Sequence, residues 1–376
     1  MPFLSNLLPN STFSVSSPQA SEITGLTLWV FFICTLIFIF VAVWIGYSVV
    51  KFRHRGEEGE PDQVQINKNY EVTWTIIPTL ICILLGWMTV KSMFGPTSGE
   101  ADPTPEPDIV ITGAQWWWEI RYPKLGIVTA NELHLPAGRP FVVQLDSNDV
   151  IHTFWIPDLG RKQQMIPGHH YFITVQHDVV GESIGACAQY CGDQHAWMRL
   201  LLKTESPGDF DAWVAAQKAG NGSNAIASAS VPPASAQGRF IPGPGQVPSG
   251  RPPIAPEVAA GHPSPNYKPL LPAVAAVPLT AADGTGDVAR GLAIFKQETC
   301  ASCHSIDGVS TARYAPDLSH VAGRETLAAG RLVNNRDNLF LWLRDPQAIK
   351  PGCKMPNFQL TESQANDLTA YLESLK

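Results

Sequence analysis

Positive charge is missing from two stretches of this sequence, and a third stretch has no charge of either sign. Residues 1–22 contain no Lys or Arg, residues 95–115 contain none, and Ile23 to Val50 has no charged residue at all. The chain of 376 residues carries a net charge of −7, so its balance does not point to nucleic acid. A cleaved leader is not expected either, because the basic n-region is absent and the first apolar run is too long for an h-region. A disulfide framework is also lacking. The seven cysteines are Cys34, Cys82, Cys187, Cys191, Cys300, Cys303 and Cys353. Two lie in apolar runs and four form two tight pairs, a pattern that reads as metal or haem attachment.

What is there begins with two long apolar runs. "ITGLTLWVFFICTLIFIFVAVWIGYSVV" covers Ile23 to Val50 and "VTWTIIPTLICILLGWMTV" covers Val72 to Val90. A bilayer needs about 20 such residues, so both are read as membrane spans, with Cys34 and Cys82 as small apolar residues within them. The loop between them carries Lys51, Arg53, Arg55 and Lys68. Positive charge stays on the cytoplasmic side. The loop is therefore expected inside, with the N-terminus and everything after about residue 94 on the periplasmic or outer face of a bacterial plasma membrane.

From Asp108 to Lys203 the pattern changes to short alternating runs such as "ELHLPAGRPFVVQLDS" and "YFITVQH", separated by Gly, Pro, Asn and Asp. This predicts a β-sandwich or barrel. Near its end stands "GACAQYCGDQHAWM". On a helix Cys187 and His195 would lie about 12 Å apart, too far to share one ion, so a loop must curl Cys187, Cys191 and His195 together with Met198. Thiolate, thioether and imidazole together favour copper. Zinc is the rival, though Met is a poor zinc ligand. A plain Cys187–Cys191 disulfide would leave His195 and Met198 without a role. Two thiolates suit two metal ions bridged by sulfur, which calls for a second imidazole, and "VIHTFWIP" offers His152 where a strand meets a loop. His134, His169, His170 and His177 read as surface or core residues.

With "GAQWWW", "VIHTFWIP" and C-x-x-x-C-x-x-x-H-x-x-M after a membrane hairpin, residues 20–205 resemble cytochrome c oxidase subunit II. The resemblance implies a cupredoxin fold carrying the dinuclear copper A centre. Its ligands would be His152, Cys187, Cys191, His195, Met198 and the backbone carbonyl of Gln189. The family usually has Glu at the position of Gln189, whose side chain serves a magnesium site shared with subunit I, and an acid at the position of Gln164. A neutral amide is a weaker partner for a hard cation, which puts that magnesium contact in question. Trp116 matches the Trp through which electrons reach the copper. Three consecutive Trp on a strand alternate between core and surface, so one or two of Trp116, Trp117 and Trp118 are packing residues. Glu71, an acid in the first turn of the second span, suits the helix dipole. In the family it stands at the inner mouth of a proton-uptake channel of subunit I.

Residues 219–282 are dominated by Ala, Pro, Gly and Ser and read as an extended linker, with His262 solvated. Such a tether concentrates the C-terminal segment near the copper domain without fixing one pose. That segment carries "CASCH", Cys300 to His304, the c-type haem attachment signal. His304 would be the proximal ligand and Met355 of "KMPNF" the distal one. An amphipathic helix precedes the motif. "TESQANDLTAYLESLK" closes the chain as a helix whose capping box is Thr361 and Gln364 and whose apolar face is Leu368, Tyr371, Leu372 and Leu375. Cys353 is read as a reduced bystander.

Residues 283–376 thus resemble a class I cytochrome c domain, and the fusion resembles the caa-type bacterial oxidases. The expected organisation is an outer tail at 1–22, a transmembrane α-helical hairpin at 23–94, a cupredoxin-like domain at 95–218, the linker, and an all-α cytochrome c domain. The implied function is to pass electrons from a donor through haem c and copper A to subunit I, where O2 is reduced to water with proton pumping. No residue of this chain need act as nucleophile or general base. Subunit I, subunit III and an upstream cytochrome or quinol:cytochrome oxidoreductase are the implied partners. The same cofactors would serve the corresponding subunit of a copper A-containing nitric oxide reductase. A membrane-anchored copper-delivery module is a further alternative, which the haem motif opposes. A quinol-oxidase subunit is excluded if the copper ligands are real, since those relatives lack them.

Overall fold

The structure is a computed structural model that describes residues 15–53, 66–94, 106–219 and 286–376. The tail 1–14, Arg55 and nearly all of the linker lie outside the described residues. The membrane segment is one unit and the outer residues another.

Two helices form the membrane unit, α1 (Pro18–Lys51) and α2 (Lys68–Phe94). Both extend beyond the runs predicted from hydropathy. Large side chains such as Phe38, Phe40 and Trp87 are exposed all along them. An apolar surface of that extent suits lipid. Thr73, Thr75, Thr79 and Thr89 each return their hydroxyl to the carbonyl four residues earlier. That leaves no hydroxyl proton of these four unpaired where water is absent.

The outer unit begins with a β-sandwich. One sheet has the order β3-β2-β1-β5-β8, built from β1 (Ile109–Ala114), β2 (Trp117–Tyr122), β3 (Ile127–Ala130), β5 (Phe141–Ser147) and β8 (Tyr171–Val175). β1 pairs parallel to β5 and antiparallel to β2. The second sheet has the order β4-β10-β9, from β4 (Glu132–Pro136), β10 (Arg199–Glu205) and β9 (Gly181–Ala186). The period-2 pattern fills the space between them. Ile109 and Ile111, Trp118, Ile120 and Tyr122, Val143 and Leu145, and Leu200 and Leu202 all join one buried cluster. Each such side chain contributes about 1.5–3 kcal/mol on burial. A hairpin of β6 (His152–Ile156) and β7 (Arg161–Met165) stands at one end, with His152 opposite Met165. Helix α3 (Pro207–Ala219) comes next, and its Trp213 stacks on the buried ring of His134 at 4.1 Å.

The cytochrome-like domain is mainly helical: α4 (Val288–Gln297), α5 (Cys300–Cys303), α6 (Arg336–Arg344), α7 (Pro346–Ile349) and α8 (Glu362–Glu373), with two short two-residue ladders. Asp287 caps α4 by accepting from the Arg290 amide. Thr361 and Gln364 form the predicted capping box of α8, an arrangement worth about 1 kcal/mol. Leu368, Tyr371, Leu372 and Leu375 are all buried. Helices α4 and α8 cross at Gly291, where a Cβ would lie 2.1 Å from the Asp367 carbonyl oxygen. Only glycine permits that approach.

Candidate copper and haem sites

The loop after β9 brings together the residues that the spacing singled out. Cys187 and Cys191 are both buried, and their Sγ atoms lie with a ring nitrogen of His152 within 4.8 Å of one another. Each sulfur has its own imidazole. Cys187 Sγ is 3.8 Å from His152 Nδ1, and Cys191 Sγ is 3.6 Å from His195 Nδ1. The Gln189 carbonyl oxygen lies 3.1 Å from Cys187 Sγ, and Met198 Sδ lies 3.9 Å from Cys191 Sγ. Two thiols at the centre, an imidazole beside each, a thioether on one side and a carbonyl on the other form a donor set that fits two copper ions. The hydrogen bond from Cys191, against the cost of burial and with help from His152, pulls the Cys187 thiol far down, while the same contact and burial push Cys191 up. A thiolate is the metal-binding form.

Residues outside the loop set its shape. His152 Nε2 donates to Asp149 Oδ1 at 2.8 Å, which leaves Nδ1 facing the sulfurs. Burial would lower the His152 pKa, but hydrogen bonds to Asp149 and Cys187 outweigh it and hold the value above the usual range. Asp149 also accepts from the Gln115 amide at 2.7 Å. The Gln115 side chain and the Trp116 indole both donate to the Cys191 carbonyl, at 2.7 and 3.0 Å. Gly113 is the seat of the His152 ring, since a Cβ there would stand 2.9 Å from His152 Cδ2. Asp149 could have been found in "DVIHTF", three residues before the histidine. Nothing local marks Gln115 as a partner of Cys191, 76 residues away, or Gly113 as the seat of His152.

In the cytochrome-like domain, His304 is capped from one side. Its Nδ1 donates to the Pro316 carbonyl at 2.7 Å, which reserves Nε2 for iron. Burial lowers its pKa, favouring the neutral ring that binds metal. Cys300 and Met355 pack on the same apolar cluster. Gln347 shapes the Met355 loop, donating to the Cys353 and Met355 carbonyls at 2.8 and 2.7 Å and accepting from the Gly352 amide at 3.0 Å. Cys353 Sγ is 3.3 Å from Gln347 Nε2. The two thiols of C-x-x-C-H, one of them on the apolar cluster with the Met355 thioether, and the neutral imidazole of His304 fit a covalently held haem c.

The two outer domains touch through specific polar groups. Glu132 Oε1 accepts from the Glu325 and Thr326 amides at 2.9 and 2.7 Å and from Thr326 Oγ1 at 3.0 Å. Burial raises its pKa. Lys350 Nζ, buried enough to be lowered to about 8, donates to the Trp116 carbonyl at 3.0 Å and the Ala328 carbonyl at 3.3 Å. Lys203 pairs with Glu325, and Gln194 donates to the Pro351 carbonyl. These contacts differ from the poseless tether read from the linker. The difference lies in side chains 120 to 240 residues apart, which composition does not reveal.

Two of the three tryptophans are packing residues, within the one or two expected. Trp118 is fully buried and Trp116 half-buried, but Trp117 is buried too, packed against Ala130 and Ala329. Strand alternation alone would leave Trp117 outside, and the cytochrome-like domain covers it. Glu71 stands exposed in the first turn of α2. Gln164 and the Gln189 side chain are exposed, as are His169 and His170, whereas His134 and His177 are buried.

Three family profiles match in chain order: the cytochrome c oxidase subunit II transmembrane domain over residues 10–91, its periplasmic domain over 124–205, and cytochrome c over 288–376. The chain is 28% identical to a cytochrome c oxidase subunit 2 of Alkalihalophilus pseudofirmus, covering 96% of this chain and 89% of the relative. It is 29% identical to that of Bacillus subtilis over 100% and 92%, and 30% identical to that of Bacillus sp. strain PS3 over 86% and 79%. With the site geometry and these likenesses together, the chain belongs to the cytochrome c oxidase subunit II family and carries a cytochrome c domain at its C-terminal end.

Proposed function

We propose that this chain takes electrons from a donor on the outer side of a bacterial plasma membrane and delivers them to subunit I of a haem–copper oxidase, with haem c and copper A in series. The observation that carries the reading is the gathering of His152, His195, Met198 and the Gln189 carbonyl around the buried sulfurs of Cys187 and Cys191. His304 and Met355 beside Cys300 and Cys303 form the second site. When bound, the copper pair would spread one electron over two ions with little change of geometry, and the haem would exchange a single electron at an outer-facing site. The residues of this chain do the rest. Asp149 orients His152. Gln115 and Trp116 hold the Cys191 carbonyl. The burial of Cys187, Cys191, Met198 and His152 keeps water from reorganising around the sulfurs. Oxygen reduction to water, with proton pumping, is assigned to subunit I, and subunit III and a cytochrome or quinol:cytochrome oxidoreductase are the further partners. Lys51, Arg53, Arg55 and Lys68 support a cytoplasmic hairpin loop, which places Glu71 at the inner mouth of a proton channel and both redox domains outside.

Cys191→Ser tests the copper assignment. The variant should lose the near-infrared band and the paramagnetic signature of a mixed-valence pair, while wild type shows both. Wild-type protein loaded with copper that displays only single-copper behaviour would remove the dinuclear reading. The largest chain that co-purifies decides between an oxygen-reducing partner and a nitric oxide-reducing one.

A further inference from the structure

We infer that the cytochrome domain sits on the copper domain in one defined pose, with Glu132 and Lys350 as the positioning residues, so that the loop bearing Met355 rests against the segments carrying Trp116 and the copper ligands. The inference deepens the proposed function and rests on it.

Three observations carry it. The first is the chemical match at Glu132. A carboxylate withdrawn from water must be fully hydrogen-bonded or its burial is costly. Its partners here are two consecutive backbone N–H groups and a hydroxyl of the other domain, Glu325 N, Thr326 N and Thr326 Oγ1. Backbone amides on a short ladder cannot swing to follow a sliding partner, so they fix position. The second is Lys350. Its buried ammonium spans the interface to the Trp116 carbonyl, and the Trp116 indole N–H in turn donates to the Cys191 carbonyl. One residue therefore ties the cytochrome domain to the copper loop. Lys350 begins the segment that ends at Met355. Within that segment Pro351 accepts from Gln194, and Lys354 Nζ lies 3.6 Å from Asp149 Oδ2, the carboxylate that orients His152. The third is Trp117, which alternation places on the outer face of its strand and which Ala329 covers. The contacts at Glu132, Trp116, Trp117 and Asp149 do not lie on one line of sequence, and together they resist rotation as well as separation. The exposed Lys203–Glu325 pair adds little to the strength, but it reports the pose because amine and carboxylate are in contact.

That pair is the test. Full-length protein in its purified complex is treated with a water-soluble carbodiimide, which joins only an amine and a carboxylate already touching. The expected product is a Lys203–Glu325 cross-linked peptide, found by mass spectrometry beside Lys124–Asp108, an ion pair internal to the copper domain at 2.8 Å that serves as control. Lys350→Met keeps the chain length and removes the donor. Glu132→Ala removes the acceptor. Each should slow formation of the Lys203–Glu325 product by about tenfold relative to the control, the loss expected for a hydrogen bond to a charged group. Covalently attached haem, seen as added mass, shows that the variant domain has folded. Failure of the Lys203–Glu325 product to form while Lys124–Asp108 does would overturn the pose. An unchanged rate in both variants would overturn the role of Glu132 and Lys350. Failure of the underlying reading is seen separately: wild-type protein that cross-links as expected but shows no mixed-valence copper signature keeps the docked pose and loses the copper assignment.

Discussion

Asp149 accepts a hydrogen bond from Nε2 of His152 at 2.8 Å, and this one contact determines which nitrogen of the ring faces the two cysteine sulfurs. An imidazole free to flip would present either nitrogen. Outer partners of this kind typically change metal affinity by about 10–100-fold when removed. Asp149→Ala is therefore expected to weaken copper binding by about that factor while the β-sandwich stays folded. Competition with a graded series of copper chelators measures the affinity. An affinity equal to wild type would show that Gly113 and the strand alone hold the ring.

Met355→His should leave the haem covalently attached, because Cys300 and Cys303 are untouched, and should lower its potential, because a thioether stabilises ferrous haem better than an imidazole does. The haem would then pass electrons inward more readily and accept them from the donor less well. A redox titration of the haem band checks the first step. A potential equal to wild type would mean that Met355 is not the distal ligand.

The α4–α8 crossing carries a pH dependence of definite sign. Hydrogen bonds from Arg290, opposed by burial and aided by the Asp287 amide, hold the Asp367 carboxyl below its ordinary value of 3.8. A carboxylate with a depressed folded-state pKa contributes stability that is present above the unfolded value and lost as pH falls through the folded one. The crossing should be pH-independent above about pH 5 and loosen below about pH 4, with faster amide exchange in Val288–Gln297. Asp367→Asn should remove that acid step. A variant with the same acid profile as wild type would assign the step elsewhere.

Orientation is tested from outside the cell. A protease added to intact spheroplasts should cut within residues 220–282 and spare the loop from Lys51 to Lys68, because basic loops stay on the cytoplasmic side. Cleavage in that loop by external protease would reverse the orientation of the whole chain.

Much of the architecture was legible in the sequence, and for local reasons. Span length is set by bilayer thickness, so charge-free runs at Ile23–Val50 and Val72–Val90 suffice to predict α1 and α2. Ligand spacing within one loop is also local: Cys187, Cys191, His195 and Met198 lie within twelve residues, and no helix could gather them. The cap at Thr361 and Gln364 needs only three residues of context. Within β2, Trp117 and Trp118 alternate as a strand requires, Trp116 lies in the turn before it, and a distant domain covers Trp117.

The sequence by itself determined the membrane hairpin, the side chains proposed as ligands and the order of a β domain and a cytochrome c domain, since each depends on chemistry or periodicity within a short window. Only the tertiary structure decided how those ligands are held and how the domains meet. The pairing of β1 with β5 and the β6–β7 hairpin places Gly113 under His152. The register of β4 in its sheet puts Glu132 where Thr326 can reach it. Lys350 finds Trp116 across 234 residues of chain. Such contacts join polar groups that are each satisfied equally well by water in the unfolded chain, so no local pattern announces them. They take definite partners only once packing has removed the water.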